Sequence, residues 1–287
     1  MAAGEQPPEH VLASFGLRDS PAPVGGDWDG SWRCGGVVLT PVADHARAAW
    51  SARVRESLHP EGIRLARPVR ATDGRYVVSG WRSDAEVEGS PEPRYDEVVA
   101  AAQRLHKATA GLARPRFLSH GPIGPWMNVD VFVAADRAAW DDDPMRSLRR
   151  SQGDDFVHAT TPDGEHSIEL LDQLGSLRKP VETPAQLVHG DLFGTVLFAG
   201  QEHPGITDIT PYWRPAPWAA GVAVVDAVSW GSADDGLLER WDDLPEWPQM
   251  LLRAVMFRLA VHALHPRSTA EALPGLLHTA DLVRWMV

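Results

Sequence analysis

The order of apolar and polar positions splits the chain into a strand-rich first third and a mainly helical remainder. Ser31–Cys34 and Val37–Leu39 are short runs around Gly35-Gly36, a spacing that predicts a hairpin, with Pro41 ending its second strand. Asp44 is a helix cap. Ala49, Trp50, Val54 and Leu58 then recur near helical spacing, which predicts a helix to about Leu58. Ile63–Val69 alternates as a strand, Asp73-Gly74 is a hairpin turn, and Tyr76–Trp81 continues as a strand. These elements make a small antiparallel sheet with one helix packed on it. The pattern breaks at Glu86–Pro93, rich in Gly, Pro, Ser and charge, which reads as a boundary. It separates a sheet lobe, residues 1–88, from a helical lobe, residues 89–287.

Beyond the boundary, helices are predicted at Tyr95–Leu112, within Trp126–Asp143 after an initial loop, at Ser167–Leu177, Ala216–Trp230, Met250–His265 and Ala270–Met286. Gln186–Val188 is a short buried strand running into His189-Gly190-Asp191. Val196–Phe198 and Gly205–Ile209 form a strand pair around a turn. The fold class is α+β with two lobes.

Composition narrows what such a chain can do. Its 287 residues are 44% hydrophobic and 23% charged, as in a soluble globular protein, and no apolar run reaches membrane-spanning length. The acidic, proline-rich start, MAAGEQPPEH, does not read as a signal peptide. The single cysteine, Cys34, excludes an internal disulfide and fits a reducing cytoplasm. A net charge of -12 argues against a nucleic-acid partner, because phosphate binding needs clustered Lys and Arg. Recurrent acidic pairs and twelve tryptophans are solvated surface and core, with the sharper alternative of a site for a cationic small molecule. Only two lysines occur, Lys107 and Lys179, neither in the first lobe. His262 and His265 lie three apart on a helix but have no third ligand in reach along the sequence.

The candidate chemistry is phosphoryl transfer from ATP. It needs a glycine-rich hairpin over the phosphates, a cation on the next strand, an aspartate for the acceptor hydroxyl and a second aspartate for magnesium. Leu187-Val188-His189-Gly190-Asp191-Leu192, the strand Val196-Leu197-Phe198 and the later Ile206-Thr207-Asp208-Ile209 stand in that order, downstream of the glycine stretch Gly25–Gly30. Together they resemble aminoglycoside phosphotransferases and choline-kinase-like enzymes, which have a bilobal protein-kinase-like fold. Gln103-Arg104-Leu105-His106 resembles a Leu-His helix end in that family. Thr210-Pro211-Tyr212-Trp213-Arg214-Pro215 resembles, more narrowly, an actinobacterial group within it. The resemblance covers roughly residues 10 to 287 and implies Mg and ATP as cofactors. It also implies Asp191 as catalytic base, His189 as the residue ordering its loop, and Asp208 as metal ligand.

The sequence departs from that pattern at the nucleotide. The position of the strand lysine is Thr40, and the nearest candidate cation is Arg33 on the preceding strand. The loop asparagine, a nucleotide-site and second metal position, is replaced by Thr195. The helix that should offer a glutamate to the lysine carries Arg47 and Arg53 in its middle, with Glu56 near its end, and Trp28 stands in the glycine stretch. Three functions fit this mixture. One is a repurposed enzyme of specialised metabolism that binds a small molecule in the interlobe cleft and uses Asp191 as acid or base. The second is an active phosphotransferase with rearranged ATP contacts and Arg33 in place of the lysine. The third is a non-catalytic pseudokinase that binds or regulates.

Overall fold

The computed structural model describes residues 5–24, 30–120, 131–146, 148 and 163–287. Packing divides the chain into two compact units. The first is Met1–Glu92 with Gly194–Thr210. The second is Pro93–Phe193 with Pro211–Val287. The glycine stretch around Trp28, and residues 126–130 of the expected loop before the helix, lie outside the described residues.

The first unit begins with α1 (Glu9–Ser14) and is built on a six-stranded antiparallel sheet. Its strands are β1 (Ala22–Pro23), β2 (Trp32–Cys34), β3 (Val37–Pro41), β5 (Pro68–Val69), β6 (Val77–Val78) and β7 (Trp81–Ala85). The β2–β3 hairpin forms where the sequence places it, and Asp44 caps α2 (His45–Ser57) by accepting from the Arg47 N–H. Two expectations are corrected. Ile63–Val69 is not one strand: β4 (Arg64–Leu65) pairs parallel to β10 (Gly205–Ile206), whereas β5 pairs with β7. The chain changes sheets at Ala66-Arg67, just before Pro68, which has no N–H to continue a ladder. Tyr76–Trp81 is likewise two strands. Ser79 and Gly80, with φ of 48° and 80°, make the tight turn from β6 into β7.

β7 runs on to Ala85, and all of Trp81, Arg82, Ser83 and Asp84 are buried. The register sets Thr40 of β3 opposite Arg82, and Val38 opposite Asp84. A second sheet joins β4, β10 and β9 (Val196–Leu197). Leu39, Val11, Phe15 and Trp32 anchor the core beneath the first sheet. Cys34 is buried there, its thiol bonded to the Asp19 carbonyl at 3.2 Å.

The second unit contains α3 (Tyr95–Thr109), α4 (Arg116–His120), α5 (Val131–Trp140), α6 (Gly164–Gly175), α7 (Ala216–Trp230), α8 (Trp247–Leu264) and α9 (Leu273–Met286). The helix expected from Met250 begins at Trp247, with Pro248 in its first turn, where a missing N–H costs nothing. α7 and α8 are buried nearly all round, as helices at the centre of a core are, with Asp226 and Arg258 among their few charges. Trp218, Tyr212 and Phe257 meet edge to face there, with ring centroids 5.3–5.8 Å apart. Trp230, by contrast, is partly exposed. A two-stranded ribbon pairs β8 (Gln186–His189) with β11 (Pro211–Arg214). Among the described residues no helix is long and apolar enough to cross a membrane.

Candidate functional site

Two clusters of functional groups form, one in each unit. In the first unit, Ser51 and Arg55 lie one turn apart on α2 and face β7. Arg55 is fully buried. Its Nη1 donates to Asp84 at 2.7 Å and to the Ala66 carbonyl at 2.9 Å, and its Nε lies 3.5 Å from Asp208. Arg82 Nε lies 3.3 Å from the other Asp84 oxygen, and Arg82 Nη1 donates to Asp208 Oδ2. Asp208 Oδ1 accepts from Ser51 Oγ at 2.6 Å and from the Ile209 N–H at 2.8 Å. Two guanidiniums and two carboxylates thus neutralise one another. Burial pushes the Asp84 carboxyl up, against the pull of Arg55 and Arg82. Burial also opposes ionisation of Asp208, but Arg82, Arg55 and Ser51 together hold it below its usual range.

Magnesium wants near-octahedral oxygen ligands and keeps several waters. Asp208 already carries Arg82 on Oδ2 and Ser51 and the Ile209 N–H on Oδ1, with Arg55 alongside, so an ion there would have to displace these partners and meet two guanidinium charges. Among the described residues no cluster of three acidic, His or Cys side chains could hold a metal. The residues present do not fit the ion. Thr195, the other expected metal position, follows Gly194 (φ 70°) and precedes β9, whose pairing places it at the same end of that hairpin as Asp208. Thr40 shares a hydroxyl contact with Ser31 at 3.1 Å. Arg33 is not brought to this cluster. It is 53% exposed and pairs with Glu86 at 2.6 Å. The cation beside Thr40 is instead Arg82, on the next strand.

In the second unit, β8 delivers the His-Gly-Asp turn. His106, at the end of α3, is buried, and its Nε2 accepts the His189 N–H at 3.0 Å. His189 Nδ1 in turn accepts the Asp191 N–H at 3.3 Å, so His189 orders the turn through its ring and backbone. Gly190 is required between them: a Cβ there would stand 2.4 Å from the Tyr212 ring of β11. Asp191 is half exposed, at 51%, and its Oδ1 lies 3.7 Å from Arg258 Nη2 of α8. Arg258 is buried and grips Asp226 of α7 with two parallel N–H groups, Nε at 2.6 Å and Nη2. Burial raises the Asp226 carboxyl to about 6, although Arg258 pulls the other way. Arg258 itself is raised: burial disfavours its charge, and Asp226 and Asp191 outweigh that.

Burial, and then His189, push His106 down to about 3, so it is neutral in the fold. Its unfolded value is near 6.5. The unfolded chain therefore binds more protons between those values, and the stability tied to neutral His106 is lost as pH falls below 6.5. The expected loss from this residue alone is about 2 kcal/mol at pH 5. Melting curves across pH 7 to 4.5 should fall less steeply for His106→Gln, whose amide oxygen can still accept from His189.

The motif singles out Asp191, His189, Thr40, Thr195 and Asp208 in the sequence. It misses Ser51, Arg55, Arg82, Asp84, Asp226 and Arg258. The last pair did leave a signal: one Asp and one of few charges inside the apolar runs AAGVAVVDAV and MLLRAVMFRLAV.

No protein-family model and no curated protein matches the sequence. Solved structures do match its fold. One is an aminoglycoside phosphotransferase from Alicyclobacillus acidocaldarius, 14% identical, with TM-score 0.60 over 99% of this chain and 95% of that one. Another is a spectinomycin phosphotransferase solved with ADP and spectinomycin, 11% identical, with TM-score 0.57 over 96% of both chains. A third is an amicoumacin kinase solved in complex with AMP-PNP, Ca2+ and Ami, 11% identical, with TM-score 0.56 over 97% of this chain and 94% of that one. The chain has the kinase-like α+β fold of these phosphotransferases.

Proposed function

We propose that this protein is a degenerate relative of the aminoglycoside phosphotransferases that binds a small molecule and does not carry out efficient ATP-dependent phosphotransfer. One observation carries the reading: both oxygens of Asp208 are engaged by Arg82, Ser51 and the Ile209 N–H, with Arg55 alongside. A carboxylate neutralised in this way has no charge left for a metal–nucleotide complex, and Thr40 supplies no cation for the phosphates. Phosphoryl transfer relies on positioning and electrostatics, so these losses compound.

Asp191 is the group left for chemistry or binding. It is half exposed at the end of an ordered turn, and it serves as acid or base toward a small molecule. The net charge of -12 favours a cationic ligand. The fold relatives solved with hygromycin B or spectinomycin make such compounds the first probes. A cytoplasmic role in the specialised metabolism of an actinobacterium fits the narrower sequence resemblance.

Calorimetry with millimolar ATP and magnesium is the test, and no saturable heat is expected. Saturable binding would overturn the reading. It would favour the second one, an active phosphotransferase with rearranged ATP contacts, with Arg82, facing Thr40, in the place expected for Arg33. ATP turnover by the wild-type protein would establish that rival, and its loss in an Arg82→Lys variant that still melts like the wild type would assign the cation.

A further inference from the structure

We propose that the second unit holds a small inorganic anion, of the chloride class, against Arg253 and Trp140 in the packing of α5 and α8. The inference is independent of how Asp191 is used. Arg253 of α8 is only 6% exposed. Its Nη1 donates to the Gln249 side-chain oxygen at 2.7 Å and to the Gln249 carbonyl at 3.2 Å, and its Nη2 to the Lys179 carbonyl at 2.8 Å. All three are neutral acceptors, whereas a buried charge ordinarily meets an opposite charge. Among the described residues, the carboxylate near enough to pull on Arg253 is Glu246. Its oxygens are taken up by the Glu182 and Thr183 N–H groups and the Thr183 hydroxyl.

The neighbours add positive charge. Arg253 and Arg214 each lie over the Trp140 ring, their guanidinium carbons 4.9 Å from its centroid. Arg214 is balanced by Asp136 through two N–H groups at 2.7 Å. Arg178, which repels Arg253, donates to the carbonyls of Ala139, Asp141, Asp142 and Gly175. Among the described residues, three guanidiniums thus share one directly paired carboxylate. The unmet groups have the matching sign. Arg253 Nε, Trp140 Nε1 and Trp218 Nε1 are buried N–H donors without an acceptor. Each belongs to Trp140 or to a side chain in contact with its ring, since Trp218 meets Trp140 edge to face at 6.2 Å. Orphaned donors call for an acceptor, and surplus positive charge selects an anion over water. Because these N–H groups are buried, the ion is a compact one. It ties α8 to β11 through Arg214 and to the Lys179 segment that leads into β8.

The test is urea unfolding of the full chain in potassium gluconate, with chloride substituted at constant ionic strength. Chloride should stabilise saturably: at ten times its dissociation constant, the unfolding equilibrium constant should fall about elevenfold. Arg253→Met should abolish the effect, and Arg253→Lys, which restores the charge without the fork, should recover part of it. Trp140→Phe keeps an aromatic ring beneath both guanidiniums and deletes one donor. It should fold and weaken the chloride dissociation constant roughly tenfold, the usual loss of one hydrogen bond to a charged group. Equal stability in chloride and gluconate overturns the proposal. A chloride dissociation constant unchanged in Trp140→Phe overturns it as well, because an ion bound elsewhere would not sense that N–H.

Discussion

Asp84→Asn is expected to lower the unfolding free energy by about 3–5 kcal/mol, the usual result of stranding a buried charge. Arg55 has no exposed surface and Arg82 very little, so neither can turn to water when Asp84 loses its charge. A surface pair would behave differently, costing about 1 kcal/mol or less. Urea denaturation of the purified protein reads the difference directly, as a lower midpoint with an unchanged slope. A midpoint within error of the wild type would mean that the cluster is not the closed, neutral unit described above. Asp208 would then be open to a metal, because Arg82 and Arg55 would no longer be held against it by Asp84. Replacing Arg55 and Asp84 together by apolar residues should cost far less than either single change, since the desolvation of both charges is avoided.

Gly275→Ala should destabilise the second unit by about 3 kcal/mol, against a helix-propensity gain of about 1 kcal/mol. The added Cβ would stand 1.9 Å from the Ser229 carbonyl oxygen, a backbone atom of α7 that cannot swing aside. The crossing is tied in place by Ser229 Oγ to Thr279 Oγ1 at 2.8 Å and by Trp230 Nε1 to the Ala272 carbonyl at 2.8 Å. Thermal melting would show the loss. A rise in melting temperature, as propensity alone would give, would show that the helices sit farther apart.

Much of the fold was legible in the sequence, for a physical reason. Ala216–Trp230 matches its helix residue for residue because its apolar character runs unbroken between Pro215 and Gly231. The sequence pattern ends β7 at Trp81 because WRSDA looks like solvent-facing sequence. Its arginine and aspartate are buried by partnering charges elsewhere, which hydropathy cannot register. β11 is legible as a motif and not as a strand, since Pro211 at its start and Pro215 just past its end read as breaks. The site divides in the same way. Asp191 and Asp208 announce themselves through short local motifs. Their partners do not: Ser51 and Asp208 are 157 positions apart, and only the folded sheet brings them together.

The pairing of Thr40 with Arg82 across β3 and β7 has an evolutionary consequence. Restoring a lysine at position 40 alone would set a third cation beside two that are already balanced, with no carboxylate to receive it. Recovering a nucleotide site would require Arg55 and Arg82 to change as well, and each of those steps alone breaks a buried ion pair. The charge rearrangement therefore acts as a ratchet. A single change at Arg55 or Arg82 is expected to lower stability, so a return to an ordinary nucleotide site calls for coordinated changes in the cluster.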